Sequence, residues 1–176
     1  MKFNRLLFLA TAFFLYSFAT PEDSFPLSCE DCLKGLEGVE VLVEEVKADL
    51  ENYNFTATQI QTDVEAKLRE AEIRILSMEE NEKLQPLRKP YLYIKINTRK
   101  LPWAREVIAY NVEVELKQLV TIPSLPKSTR KPFYAPTWYE SFVGAATPRN
   151  FPEIRDGVRQ LVDKFIKAYQ TANPKP

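Results

Sequence analysis

Val39, Val41 and Val43 alternate with Glu40, Leu42 and Glu44, a period of two that predicts a strand with one buried face, beginning near Gly38. A polar connection from Asp49 to Phe55 follows. Ile60, Val64, Leu68 and Ala71 then recur at helical spacing, with Gln61, Asp63, Glu65, Lys67 and Arg69 on the other faces. This predicts an amphipathic helix ending near Glu72, with Thr58 and Gln61 at capping-box spacing at its start. Ile73 to Leu76 predicts a short second strand, and a strand-helix-strand order of this kind usually closes a right-handed parallel crossover. The charged stretch from Ser77 to Pro90 carries Pro86 and Pro90. It reads as a loop with room for one helical turn across Met78 to Leu84.

In Tyr91 to Asn97 the residues Leu92, Ile94 and Ile96 alternate with Tyr91, Tyr93, Lys95 and Asn97. Ile108 to Val120 repeats the pattern, with Tyr110, Val112, Val114 and Leu116 against Asn111, Glu113, Glu115 and Lys117. These segments predict an antiparallel hairpin around a loop holding Pro102 and Trp103. Pro123, Pro126, Pro132 and Pro136 make the next stretch a long exposed loop. Thr137 to Val143 predicts a fifth strand, ended by Gly144. The last helix spans Phe151 to Tyr169, with Asn150 as cap and a stripe of Ile154, Val158, Leu161, Val162, Phe165 and Tyr169.

The elements together predict an α+β fold: a two-layer sandwich with a five-stranded, mixed, mainly antiparallel sheet and two helices on one face, in the order β-α-β-β-β-β-α. One domain, residues 38–170, would follow an extended segment from 20 to 37 and precede a disordered tail from 171 to 176. The other sheet face would be polar, carrying Glu40, Tyr91, Tyr93, Lys95, Glu113 and Glu115, and open to water or a partner.

The amino terminus changes the picture, because Lys2 and Arg5 precede an apolar run from Leu6 to Phe18 and Ser17-Phe18-Ala19 offers small residues for cleavage. Residues 1–19 are therefore expected to be a secretory signal peptide, which places the rest in the periplasm or outside the cell, where disulfides persist. A run of about 13 residues falls short of the roughly 20 a bilayer span requires, so no stable transmembrane helix is expected after cleavage. The full chain balances 24 basic against 24 acidic residues. Loss of Lys2 and Arg5 leaves a slight acidic excess, which argues against general affinity for nucleic acid or anionic membranes. Histidine is absent from the sequence, which removes imidazole acid-base catalysis, Ser-His and Cys-His sites and the commonest zinc ligand. Four glycines are too few for a phosphate-cradling loop, and neither a metal nor another cofactor is expected.

Two features carry candidate chemistry. Cys29-Glu30-Asp31-Cys32 can close a small disulfide or cycle between redox states. The pair precedes the first strand instead of opening a helix, and Glu30 and Asp31 oppose thiolate formation. A local structural disulfide between Cys29 and Cys32 is the favoured reading, with a thiol-disulfide oxidoreductase as its rival. The segment from Lys127 to Tyr139 combines Lys127, Arg130 and Lys131 with Phe133, Tyr134, Trp138 and Tyr139, and aromatics rimmed by cations suit a partner-binding surface. The plainer reading puts Trp138 and Phe142 in the core and leaves the cations to keep the loop soluble. Glu44-Glu45 and Glu79-Glu80 read as solvated charge, Ser124, Ser128 and Lys127 lie in a Pro-rich loop, and Asn54-Phe55-Thr56 matches a glycosylation acceptor that a bacterial origin would make accidental.

With these elements placed, the runs Gly38 to Val43, Thr62 to Arg69, Tyr91 to Ile94, Ala135 to Trp138, Ile154 to Val158 and Leu161 to Phe165 resemble an uncharacterised family of exported bacterial α+β proteins. The likeness would extend from about Gly38 to Asn173 and implies no catalytic residue. More distantly, the order of elements is similar to the amino-terminal domain of TolB and to small envelope-assembly lipoproteins, a likeness of fold alone. The expected role is an exported, non-enzymatic binding or assembly protein whose partner is another envelope protein. A periplasmic carrier with a small molecule between helices and sheet is a further alternative.

Overall fold

The computed structural model describes residues 30–46, 55–83, 90–101, 103 and 107–175. Residues 1–19, where a leader is expected, Cys29 and Asn54 of the expected acceptor motif lie outside the described residues. The protein is α+β, with a mixed, open sheet of four strands: β1 (Glu40–Val43), β2 (Tyr91–Lys100), β3 (Ile108–Val120) and β4 (Phe133–Ala146). They lie side by side in chain order. β1 runs parallel to β2, and β2, β3 and β4 form an antiparallel meander. Three helices accompany the sheet: α1 (Ala57–Glu70), α2 (Met78–Lys83) and α3 (Phe151–Ala172).

The period-two residues make the core. Val41, Leu92, Ile94, Val112, Val114 and Leu116 are almost wholly withdrawn from water and share one cluster with Ile60, Val64 and Leu68 of α1 and Ile154, Val158, Leu161, Val162 and Phe165 of α3. Each such side chain contributes about 1.5–3 kcal/mol over its exposed state. α1 packs beside α3 and against β1, while α3 packs against β3 and β4. Polar ties hold the helix pair outside the core: Asp63 Oδ2 accepts from Arg155 Nη2 at 2.6 Å and from Arg159 Nη2 at 3.1 Å, and Lys67 pairs with Asp163 at 2.7 Å.

Among the described residues the sheet has four strands where the pattern predicts five. Ile73 and Leu76 are buried as their apolarity demands, but the segment makes a single bridge, from Ile75 to Val39 just ahead of β1, with Val39 N donating to Arg74 O at 3.0 Å and Leu76 N to Val39 O at 2.9 Å. Glu72 just before it takes a left-handed turn, φ 58°, and Ser77 just after it caps α2. Too few residues remain between them for a ladder. The helix cap also shifts by two residues, to Thr56, whose hydroxyl accepts from Gln59 N at 3.3 Å. Thr56 to Gln59 repeats the spacing of Thr58 to Gln61, and α1 takes the earlier frame.

Five further departures concern element ends. β4 begins at Phe133 inside the predicted loop, because it lies at the sheet edge, where Pro136 forfeits no inward ladder bond, and because Thr137 forms a bulge between the pairs Leu116–Trp138 and Lys117–Pro136. Gly144 does not end the strand. It sits within β4 against the Tyr110 ring, where a Cβ would come within 2.5 Å of the ring carbon Cζ. Asn150 occupies the cap position of α3 without a capping side-chain bond, and a 3-10 turn, Pro148–Asn150, leads into the helix instead. α3 then runs on to Ala172, so Thr171 and Ala172 belong to the helix and not to a tail. At the other end Glu30–Leu33 is a 3-10 turn, not extended chain, and Leu33 and Leu36 are buried in the core.

Candidate binding surface

Residues that alternate with the core positions build the sheet face turned away from α1 and α3. β2 contributes Tyr91, Tyr93 and Lys95, and β3 contributes Glu113, Glu115 and Lys117. Across this face Tyr91 meets Tyr93 edge to face at 6.3 Å between ring centroids and meets Tyr134 of β4 at 5.0 Å. Lys117 Nζ sits 3.7 Å above the Tyr93 ring, a cation held on a π face, and lies 3.1 Å from Glu115. Tyr139 stands opposite Glu115 in the register. The sheet thus gathers tyrosines from two non-adjacent strands around one lysine.

The surroundings of Tyr91, Tyr93 and Tyr134 favour their neutral phenols. Tyr93 donates its hydroxyl to Glu44 Oε2 at 2.7 Å; that bond, with burial and the nearby carboxylates, pushes its pKa up to about 12. Burial, with Glu115 and Glu40 beside it, raises Tyr91, and burial with Tyr91, Glu40 and Glu82 nearby raises Tyr134. A tyrosine recruited as a base or nucleophile needs the opposite shift. This face offers flat rings, neutral hydroxyl donors and fixed charges, which is the chemistry of recognition.

The predicted site residues divide. Phe133 and Tyr134 are each 45% exposed, and Tyr134 and Tyr139 join the open face. Trp138 is 3% exposed and packs edge to face on Phe165 of α3 at 5.3 Å. Its register partner is Leu116, a core residue, so it belongs to the core and is not available to a partner in the folded state. Arg130 turns inward on its own loop: its guanidinium donates to Leu125 O at 2.9 Å and to Pro123 O. That arginine shapes the loop. Lys127 and Lys131 are exposed. Cys32 lies half-buried on the first turn, its carbonyl accepting from Gln118 Nε2 at 3.0 Å. A bridge to Cys29 falls outside the described residues.

A second concavity, of about 800 Å³, lies along the outer edge of β1, between Glu40, Val41 and Leu42, the α1 residues Gln61, Glu65 and Arg69, and the segment from Glu72 to Glu80. Both of its arginines are paired within it, Arg69 with Glu65 at 2.7 Å and Arg74 with Glu80 at 2.5 Å. The periodicity places Tyr91 and Tyr93 on the open face; the junction with Tyr134 depends on the register set by the Thr137 bulge, which no local pattern signals. Among the described residues no cluster of acidic or sulfur side chains is arranged to hold a metal, and no helix is long and apolar enough to cross a membrane. No protein-family model matches the chain, and no curated protein is significantly similar to it.

Proposed function

We propose that the protein is an exported, non-enzymatic binding protein of the bacterial envelope, and that its partner, another envelope protein, docks on the sheet face turned away from the helices. One observation carries the reading: Tyr91, Tyr93 and Tyr134 form a connected aromatic patch, with Lys117 and Glu115 fixed beside it. Aromatic area ordered in advance costs little entropy on binding, and a fixed ion pair sets register with a complementary partner. Site-specific photo-cross-linking in the envelope tests it. A photoreactive phenylalanine at Tyr134 or Tyr139 is expected to give the same discrete adduct, lost on Lys117→Glu, while the exposed Gln160 of α3 gives none. Equal labelling from Gln160, or no adduct from either sheet position, overturns the proposal.

A second reading is favoured by the β1 cleft, whose volume falls within the range of small-molecule sites. As a periplasmic carrier the protein would retain its ligand through gentle purification, and native mass spectrometry would show the added mass. Its paired charges and open mouth make this the weaker of the two.

A further inference from the structure

Among the described residues β1 lies at one edge of the sheet, and its outer side is bridged at one residue only. In a parallel ladder successive residues turn their N–H and C=O to opposite neighbours. Glu40 N donates to Pro90 O at 3.2 Å and Glu44 N to Ile94 O at 2.9 Å, so Glu40, Leu42 and Glu44 face β2. Val39, Val41 and Val43 face outward. The bridge to Ile75 engages Val39. A ladder that continued would bring Ser77 opposite Val41, but Ser77 caps α2 and the chain turns away. Among the described residues no main-chain group takes its place at Val41 or Val43.

The cleft of about 800 Å³ opens where this ladder stops. β1 forms its floor, Gln61, Glu65 and Arg69 of α1 form one wall, and Ser77 with Met78 begins the other. A groove with unused main chain along its floor suits an extended strand, held by main-chain bonds and chosen by the side chains around it.

The charges select the occupant. Arg69 and Arg74 are already engaged by Glu65 and Glu80, and Glu72 meets Lys175. Glu40 is bonded instead to a neutral amide, Asn81 Nδ2 at 2.7 Å, and Glu44 to the neutral hydroxyl of Tyr93 at 2.7 Å. The exposed Glu45 and Glu79 add charge of the same sign. An arriving lysine or arginine finds unmatched carboxylates, whereas an acidic segment finds the arginines taken. Leu42, 39% exposed, stands between Glu40 and Glu44 on one side of β1, so an apolar residue between two cations fits that row.

We propose that β1 accepts a short extended segment of another protein, bearing lysine or arginine, as a fifth strand bonded to Val41 and Val43. The site is a sheet edge, distinct from the patch of Tyr91, Tyr93 and Tyr134, and it does not depend on export. Cross-linking from Tyr134 and Tyr139 tests that other reading, so either can fail alone.

The test uses the full chain and two capped heptapeptides, Thr-Lys-Thr-Val-Thr-Lys-Thr and its twin with glutamate for both lysines. Amide hydrogen exchange at Val41 and Val43 is expected to slow when the lysine peptide is added. The glutamate twin is expected to bind roughly tenfold more weakly, since opposite-charge pairs become like-charge pairs. N-methylation at alternate peptide amides separates main-chain from side-chain binding: methyl groups along one edge should abolish it, and those along the other should leave it intact. Val43→Pro removes an outward N–H and no bond to β2, so binding should fall roughly tenfold at an unchanged melting temperature. Should that variant unfold, the methylated peptides decide. Unslowed exchange at both valines under millimolar peptide, equal binding of the twin, or equal effects of methylation on the two edges overturns the proposal. Slowing that grows with protein concentration alone also overturns it, because a second copy then occupies the edge.

Discussion

Phe142 rests its ring on the backbone of α3 at Gly157, so closely that a Cβ there would lie 2.0 Å from the ring carbon Cζ. Phe142 also meets Tyr110 edge to face at 5.7 Å, and the three residues lock β3, β4 and α3 together. Glycine inside a helix normally costs about 1 kcal/mol relative to alanine, so Gly→Ala at an open helical site stabilises. Here the sign reverses. Gly157→Ala is expected to destabilise by about 1–3 kcal/mol through overpacking, measured by chemical denaturation. In a Phe142→Ala background the same change should become neutral or stabilising, since the obstructing ring is gone. A Gly157→Ala protein as stable as its parent would show that the ring moves aside freely.

At the scale of elements, α2 shows how a six-residue helix is held. Ser77 Oγ accepts from Glu80 N at 3.2 Å while Glu80 Oε2 accepts from Ser77 N at 2.9 Å, a reciprocal capping box, and Arg74 reaches the same carboxylate at 2.5 Å. The bond from the Ser77 backbone, then those from Arg74 and the Ser77 hydroxyl, hold the Glu80 pKa down at about 2 against an ordinary 4.5. A lowered carboxylate contributes stability that is complete above pH 4.5 and is lost as the pH falls towards 2. Glu80→Gln should therefore unfold at lower denaturant than the parent at pH 7, with the gap closing between pH 4.5 and 2. A gap that does not change with pH would mean the charge contributes nothing. The Ser-x-x-Glu spacing of this box is visible in the sequence. The strands and both long helices are legible for a related reason: alternation and helical stripes are local consequences of one buried face. The bridge at Ile75 and the entry of β4 through Pro136 are not, because edge position and bulge are properties of the assembled sheet.

At the scale of the whole molecule, the two ends of the described chain are tied to each other. Asn173, in a tail that sequence alone reads as disordered, accepts from Gly35 N at 2.7 Å and donates to Leu33 O and Tyr169 O, each at 2.9 Å. Tyr169 donates its hydroxyl to Leu36 O at 2.7 Å, and Gln118 of β3 donates to Cys32 O at 3.0 Å. Together they press the first turn onto the core, so that Leu33 and Leu36 close it beside α3. No periodicity announces this clamp, since its partners lie 138 and 140 positions apart and each is polar in a polar neighbourhood. Each bond is worth about 0.5–1.5 kcal/mol net, so Asn173→Ala is expected to cost about 1–3 kcal/mol. The loss should be uneven. Hydrogen exchange at Gly35 and Leu36 should speed up by local opening, while amides of β2 and β3 continue to report only the modest fall in global stability. Tyr169→Phe should speed up exchange at the same turn by less, because it removes one bond and leaves the ring against Phe165. If Gly35 and Leu36 exchange in Asn173→Ala no faster than the β3 amides do, the turn is held by burial of its leucines alone, and the polar clamp is incidental to the closure of the fold.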